Sequence, residues 1–156
     1  MTLDQVALYL HVLGAITLIG TGSGIAFFML MAHRTNDAAF IAKTAGTVVT
    51  ADWLFTATAA VVQPLTGTWL MVSRGWPLSA PWLAWSIGLY VFIGAFWLPV
   101  IGLQYRLKRL ATAAAEGDGI LSPAYHRTFR LWFAAGIPAF SAILVLLWLM
   151  LHNPYF

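Results

Sequence analysis

The chain has 156 residues, 61% of them hydrophobic and only 8% charged, with a net charge of +3 and no cysteine. This composition excludes a soluble globular domain, and the length leaves room for one domain only. The missing thiol excludes disulfides, iron–sulfur clusters and thiolate zinc sites.

Four apolar blocks, approximately 6–32, 47–73, 81–105 and 129–151, are each long enough to span a bilayer. The first follows Asp4 with no Lys or Arg ahead of it and is too long for a signal-peptide core, so it reads as a retained span. It carries His11, then Gly14, Thr17, Thr21 and Gly24, small residues at helical spacing that let a neighbour approach the backbone. Thr35, Asn36 and Asp37 can cap the next helix, which then begins before the second apolar block. Within that block, Gln63-Pro64-Leu65-Thr66-Gly67 places a proline near mid-membrane, freeing the carbonyl of Ala60 and predicting a kink.

Arg74-Gly75-Trp76-Pro77 reads as a short turn, and Pro81 starts the third helix, which contains Pro99 and extends through Arg106–Arg109. Glu116-Gly117-Asp118-Gly119 ends it; Ser122-Pro123 supplies an N-cap and a first-turn proline for the fourth helix, which Pro138 can bend. Short connections make an all-α, up-down-up-down four-helix membrane bundle the simplest architecture, one domain over residues 1–156.

Seven of the eight basic residues (Arg34, Lys43, Arg106, Lys108, Arg109, Arg127 and Arg130) fall on one side; Arg74 alone falls on the other. The positive-inside rule makes the basic side cytoplasmic and both termini external, as in a multi-pass protein of a bacterial cytoplasmic membrane. The pI near 9.6 is then a matter of topology and lipid contact, not of nucleic acid. Tyr9, Trp76, Trp82, Trp85, Trp148 and Tyr155 read as an outer aromatic belt, and Trp53, Tyr105, Tyr125 and Trp132 as an inner one.

Depth sorts the histidines. His33 lies 22 residues beyond His11, roughly 33 Å along a helix, so the two cannot share an iron. His33 and His126 read as solvated residues of the inner boundary, whereas His152, 22 residues beyond Arg130, reaches the depth of His11. An ionisable side chain inside a span is a functional candidate. His11 as a ligand of haem b, Gly14 as room for the ring, His152 or Met71 as second axial ligand and Arg74 as a propionate partner form one expected layer. Taken singly, each is also an ordinary interfacial residue.

Asp52, about a turn inside the inner boundary, calls for a cation; Arg130 is the expected ion-pair partner, favoured over a proton-relay role. Gln63 needs polar partners, which Thr17 or Thr21 could supply. Phosphate loops, nucleophile–base pairs and metalloprotease motifs are absent, which argues against a hydrolase.

With these motifs in hand, the chain resembles the predicted bacterial membrane proteins of domain-of-unknown-function family 2269. The resemblance is carried by Leu10-His11-Val12-Leu13-Gly14-Ala15, Ala51-Asp52-Trp53-Leu54-Phe55-Thr56, Gln63-Pro64-Leu65-Thr66-Gly67, Gly75-Trp76-Pro77-Leu78, Trp97-Leu98-Pro99-Val100 and Phe129-Arg130-Leu131-Trp132-Phe133. It implies a four-span membrane protein without an assigned function. More distantly, the chain is similar to haem-binding four-helix proteins of the protoporphyrinogen-oxidase and copper-resistance D types, which carry a histidine followed by small residues in the first helix, as at His11. The membrane lysine that the former type has on its third helix is missing, since Lys108 lies beyond the inner boundary. A b-type, cytochrome-like protein or oxidoreductase component is therefore the leading expectation. The alternatives are a small transporter or channel using Asp52 and Gln63, and an accessory subunit or scaffold packing its Gly/Thr strip on a second copy or a partner membrane subunit.

Overall fold

The computed structural model describes residues 1–152 and consists, over them, of helices and short connections. Four helices are long and apolar enough to cross a membrane: α1 (Leu3–Thr35), α2 (Ala38–Ser73), α3 (Pro81–Glu116) and α4 (Pro123–Leu151). They contain 33, 36, 36 and 29 residues. At about 1.5 Å per residue each is longer than a hydrocarbon core of about 30 Å.

The boundaries follow local chemistry. Thr2 and Gln5 close a reciprocal capping box at the start of α1. Asn36 ends α1 in the left-handed region at φ 54°, and Asp37 Oδ1 accepts from Phe40 N at 3.0 Å to begin α2. Ser122 Oγ accepts from Tyr125 N at 3.2 Å with Pro123 at the first position of α4. Gly119, at φ 79°, turns the chain between α3 and α4, where a residue with a Cβ would be strained.

Sequential helices pack on one another, and α4 returns to α1, so α1 and α3 are diagonal, as are α2 and α4. The largest core lies toward the end of the bundle that carries most basic residues. There Met29, Ala32, Ile41, Ala45, Val48, Leu107, Ala111, Tyr125, Phe129 and Trp132 pack together. Toward the opposite end, the backbone of α2 from Thr58 to Ser73 lies against α1 alone. The α1–α2 pair and the α3–α4 pair thus diverge from a shared base.

The aromatic belts need correction in three places. Tyr125 is fully buried, and Trp82 and Trp132 are buried in apolar clusters rather than turned to lipid, because each fills space where helices converge. Trp53, Trp85 and Trp148 are exposed, as an interfacial role requires. Tyr155 lies outside the described residues.

Besides the hydrogen bond lost at Pro64, α2 carries a second departure from α-helical hydrogen bonding. It is a π-helical turn at Asp52–Ala57, about two turns earlier. That turn rotates the helix about its axis. Asp52 at its start faces α3, while Gln63, Thr66 and Gly67 beyond it face α1. The Ala60 carbonyl that Pro64 leaves without its helical donor accepts from the Tyr90 hydroxyl of α3 at 2.5 Å, a bond that ties the two diverging pairs together.

Candidate functional site

His11 sits on α1 against α2, half-buried. Its Nδ1 is 2.9 Å from Thr66 Oγ1, and Gln63 Nε2 donates to its backbone carbonyl at 2.6 Å. Thr66 has one hydroxyl proton, and it is directed to Val62 O at 2.7 Å, with Gln63 O at 3.2 Å. Toward His11 the Thr66 oxygen therefore accepts, so Nδ1 carries the proton and Nε2 keeps its lone pair. Nε2 has no hydrogen-bond partner among the described residues. A neutral imidazole with one nitrogen anchored and the other basic and unoccupied is the arrangement that metal-ligating histidines adopt.

Two glycines make this contact close. A Cβ at Gly67 would come within 3.3 Å of His11 Cε1, and one at Gly14 would overlap Gln63 Nε2. The small residue at Gly14 thus makes room for the Gln63 amide, not for a planar ligand. His11 shares a stripe of α1 with Gly22 and Met29, spaced at about three and five whole turns. A Cβ at Gly22 would lie 3.9 Å from the Phe140 ring of α4, and Met29 belongs to the core. His11 therefore lies on the α1 face that looks into the bundle.

The rest of the expected layer does not assemble. His152 is exposed, its Nδ1 2.9 Å from Trp148 O and its ring stacked on Trp148 at 4.5 Å. Among the described residues no ring contact joins it to His11. Reaching the same depth on α4 left its direction around the helix undetermined. Met71 packs with Trp76, Leu149 and Met150 against Ala80, Trp82 and Leu83. The Arg74 guanidinium lies over the Trp76 ring at 5.3 Å. Thr17 does not serve Gln63, since its hydroxyl donates to Leu13 O at 2.8 Å, and Thr21 forms no bond with Gln63 either. Gln63 is satisfied by the carbonyl of the very histidine in question.

At the basic end His33 is packed rather than solvated. Its ring stacks on Phe129 at 3.7 Å, its Nδ1 is 3.2 Å from Tyr125 Oη, and the His126 ring lies 5.7 Å away. The tyrosine hydroxyl, buried where α1 meets α4, needs this partner.

The ion pair expected between Asp52 and Arg130 does not form. Asp52 is 5% exposed and receives a hydrogen bond from Trp97 Nε1 of α3 at 3.3 Å, with Gln104 and Thr56 beside its carboxylate. Arg130 is exposed on α4, diagonal to α2, and so faces away from the carboxylate.

Thr66, Gly67, Trp97, Gln104 and Tyr90 are the residues that sequence reasoning did not assign. The i, i+3, i+4 spacing of Gln63, Thr66 and Gly67 was a usable signal for the first two; the other three are single polar or aromatic groups in an apolar helix, without a pattern of their own.

No curated protein and no solved structure matches the chain, so the distant likeness to haem-binding types rests on the residues around His11 alone. One family model does match, that of a predicted integral membrane protein, over residues 5–154. Four membrane-length helices in one bundle, with the match running through all of them, place the chain in that family, DUF2269.

Proposed function

We propose that this protein binds haem b through His11, as a cytochrome-like redox component of a bacterial cytoplasmic membrane whose basic end faces the cytoplasm. The observation that carries the reading is the His11–Thr66 pair, which holds the imidazole with Nδ1 protonated and Nε2 available inside a membrane helix. His11 would hold the iron, since His152 is exposed and stacked on Trp148 and Met71 packs against Ala80, Trp82 and Leu83. Thr66 sets the orientation and basicity of the ring, while Gln63 fixes the backbone that bears it. Bound haem would supply a one-electron couple at the depth of His11, toward the external side.

The test is the absorption spectrum of the full chain purified in detergent, before and after addition of haemin. A Soret band that shifts on dithionite reduction is expected, lost in His11→Ala and retained in His152→Ala and Met71→Ala. Thr66→Val should keep the band and shift its position or the reduction potential. A colourless protein that takes up no haemin overturns the proposal, as does a band indifferent to His11→Ala.

A further inference from the structure

A membrane carboxylate must have its charge compensated, and Asp52 lacks a protein cation to do so. Among the described residues no Lys or Arg ion-pairs with it, and its neighbours Trp97, Gln104 and Thr56 are all neutral. Asp52 is 5% exposed and Gln104 4%. The Thr56 oxygen is fully buried and makes no hydrogen bond of ordinary geometry, leaving an acceptor unused beside the carboxylate. Asp52 and Thr56 both lie on the π-helical turn Asp52–Ala57, a local structure that costs regular hydrogen bonding and concentrates at functional sites.

The surrounding elements leave the charge uncompensated as well. Between His11 and His33, α1 carries no ionisable side chain. On α3, Tyr90 is committed to Ala60 O, and Tyr105 accepts from Trp53 Nε1 at 2.9 Å. The Lys108 stem lies 3.8 Å from where a Cβ of Gly46 would be, six residues before Asp52 and about 9 Å along the axis. On α2 itself, Lys43 is more distant still.

We propose that Asp52, Thr56 and Gln104 form an intramembrane site for one monovalent cation, a proton or Na⁺. One positive charge brings the carboxylate to neutrality, whereas a divalent ion would leave an excess charge in the same apolar surroundings. In the charged state the Thr56 hydroxyl and the Gln104 amide hydrogen-bond the carboxylate as donors; to hold the cation each turns its oxygen to the site, accepting from a carboxyl O–H or coordinating the alkali ion. Trp97 Nε1 donates to Oδ1 and holds the carboxylate in place. The site is separate from His11, so each can fail without the other.

The test uses infrared difference spectra of the full chain in liposomes, taken against pH at fixed Na⁺ and against Na⁺ at fixed pH, with K⁺ as the control. The chain has four other carboxyl side chains (Asp4, Asp37, Glu116 and Asp118), so Asp52→Asn provides the subtraction, with helicity checked by circular dichroism. A carboxyl band present only in the wild type and responding to pH identifies the proton; one responding to Na⁺ and not to K⁺ identifies Na⁺. Thr56→Val, which keeps the charge and the helix, should move the midpoint about tenfold in cation concentration. A wild-type spectrum without an Asp52-dependent response to either titration overturns the proposal, and so does an unchanged midpoint in Thr56→Val.

Discussion

Replacing Gly14 with alanine places a methyl group where the Gln63 amide now lies. Gln63 must swing away and lose its 2.6 Å bond to the His11 carbonyl. Stranding that half-buried amide costs about 1–3 kcal/mol. Alanine recovers about 0.8–1 kcal/mol through its higher helix propensity, leaving a net destabilisation of about 0–2 kcal/mol. With Gln63 already truncated to alanine the space is open, and only the propensity gain survives. Gly14→Ala should then stabilise by up to about 1 kcal/mol, so the coupling between the two positions is about 1–3 kcal/mol. Reversible unfolding of the four members of the cycle in mixed micelles, followed by circular dichroism, measures it. Additivity within about 0.5 kcal/mol would refute the claim that Gly14 is small for the sake of Gln63.

Tyr90→Phe keeps the ring but leaves the Ala60 carbonyl without a donor, since Pro64 cannot supply one. A loss of about 1–3 kcal/mol is expected in the same unfolding assay, and an unchanged midpoint would show that the bond between the diverging helix pairs is dispensable. Arg130→Ala should change stability by no more than about 0.5 kcal/mol, as for an ordinary surface position. Breaking a buried pair with Asp52 would instead cost about 3–5 kcal/mol, so this variant separates the two arrangements directly.

What could be read locally was legible in the chain. Asp37 and Ser122 sit at helix starts because their side chains reach the orphan N–H groups two or three residues on, and the turn at Gly119 needs its positive φ. Proline predicted the freed Ala60 carbonyl but not the hydroxyl that fills it. The π-helical turn left no such trace, since nothing in Asp52-Trp53-Leu54-Phe55-Thr56-Ala57 opposes an ordinary α-helix. Of the expected layer around His11, depth was the only coordinate available.

By itself the sequence determined four spans, their caps and the side on which basic residues gather, because hydropathy, capping and proline act within a few residues. Tertiary structure decided that Thr66 and Gln63, not His152 or Met71, meet His11, and that Trp97, not Arg130, meets Asp52. The physical reason is that depth along a helix follows from counting residues, whereas direction around it depends on packing. A single π turn redirects every side chain beyond it.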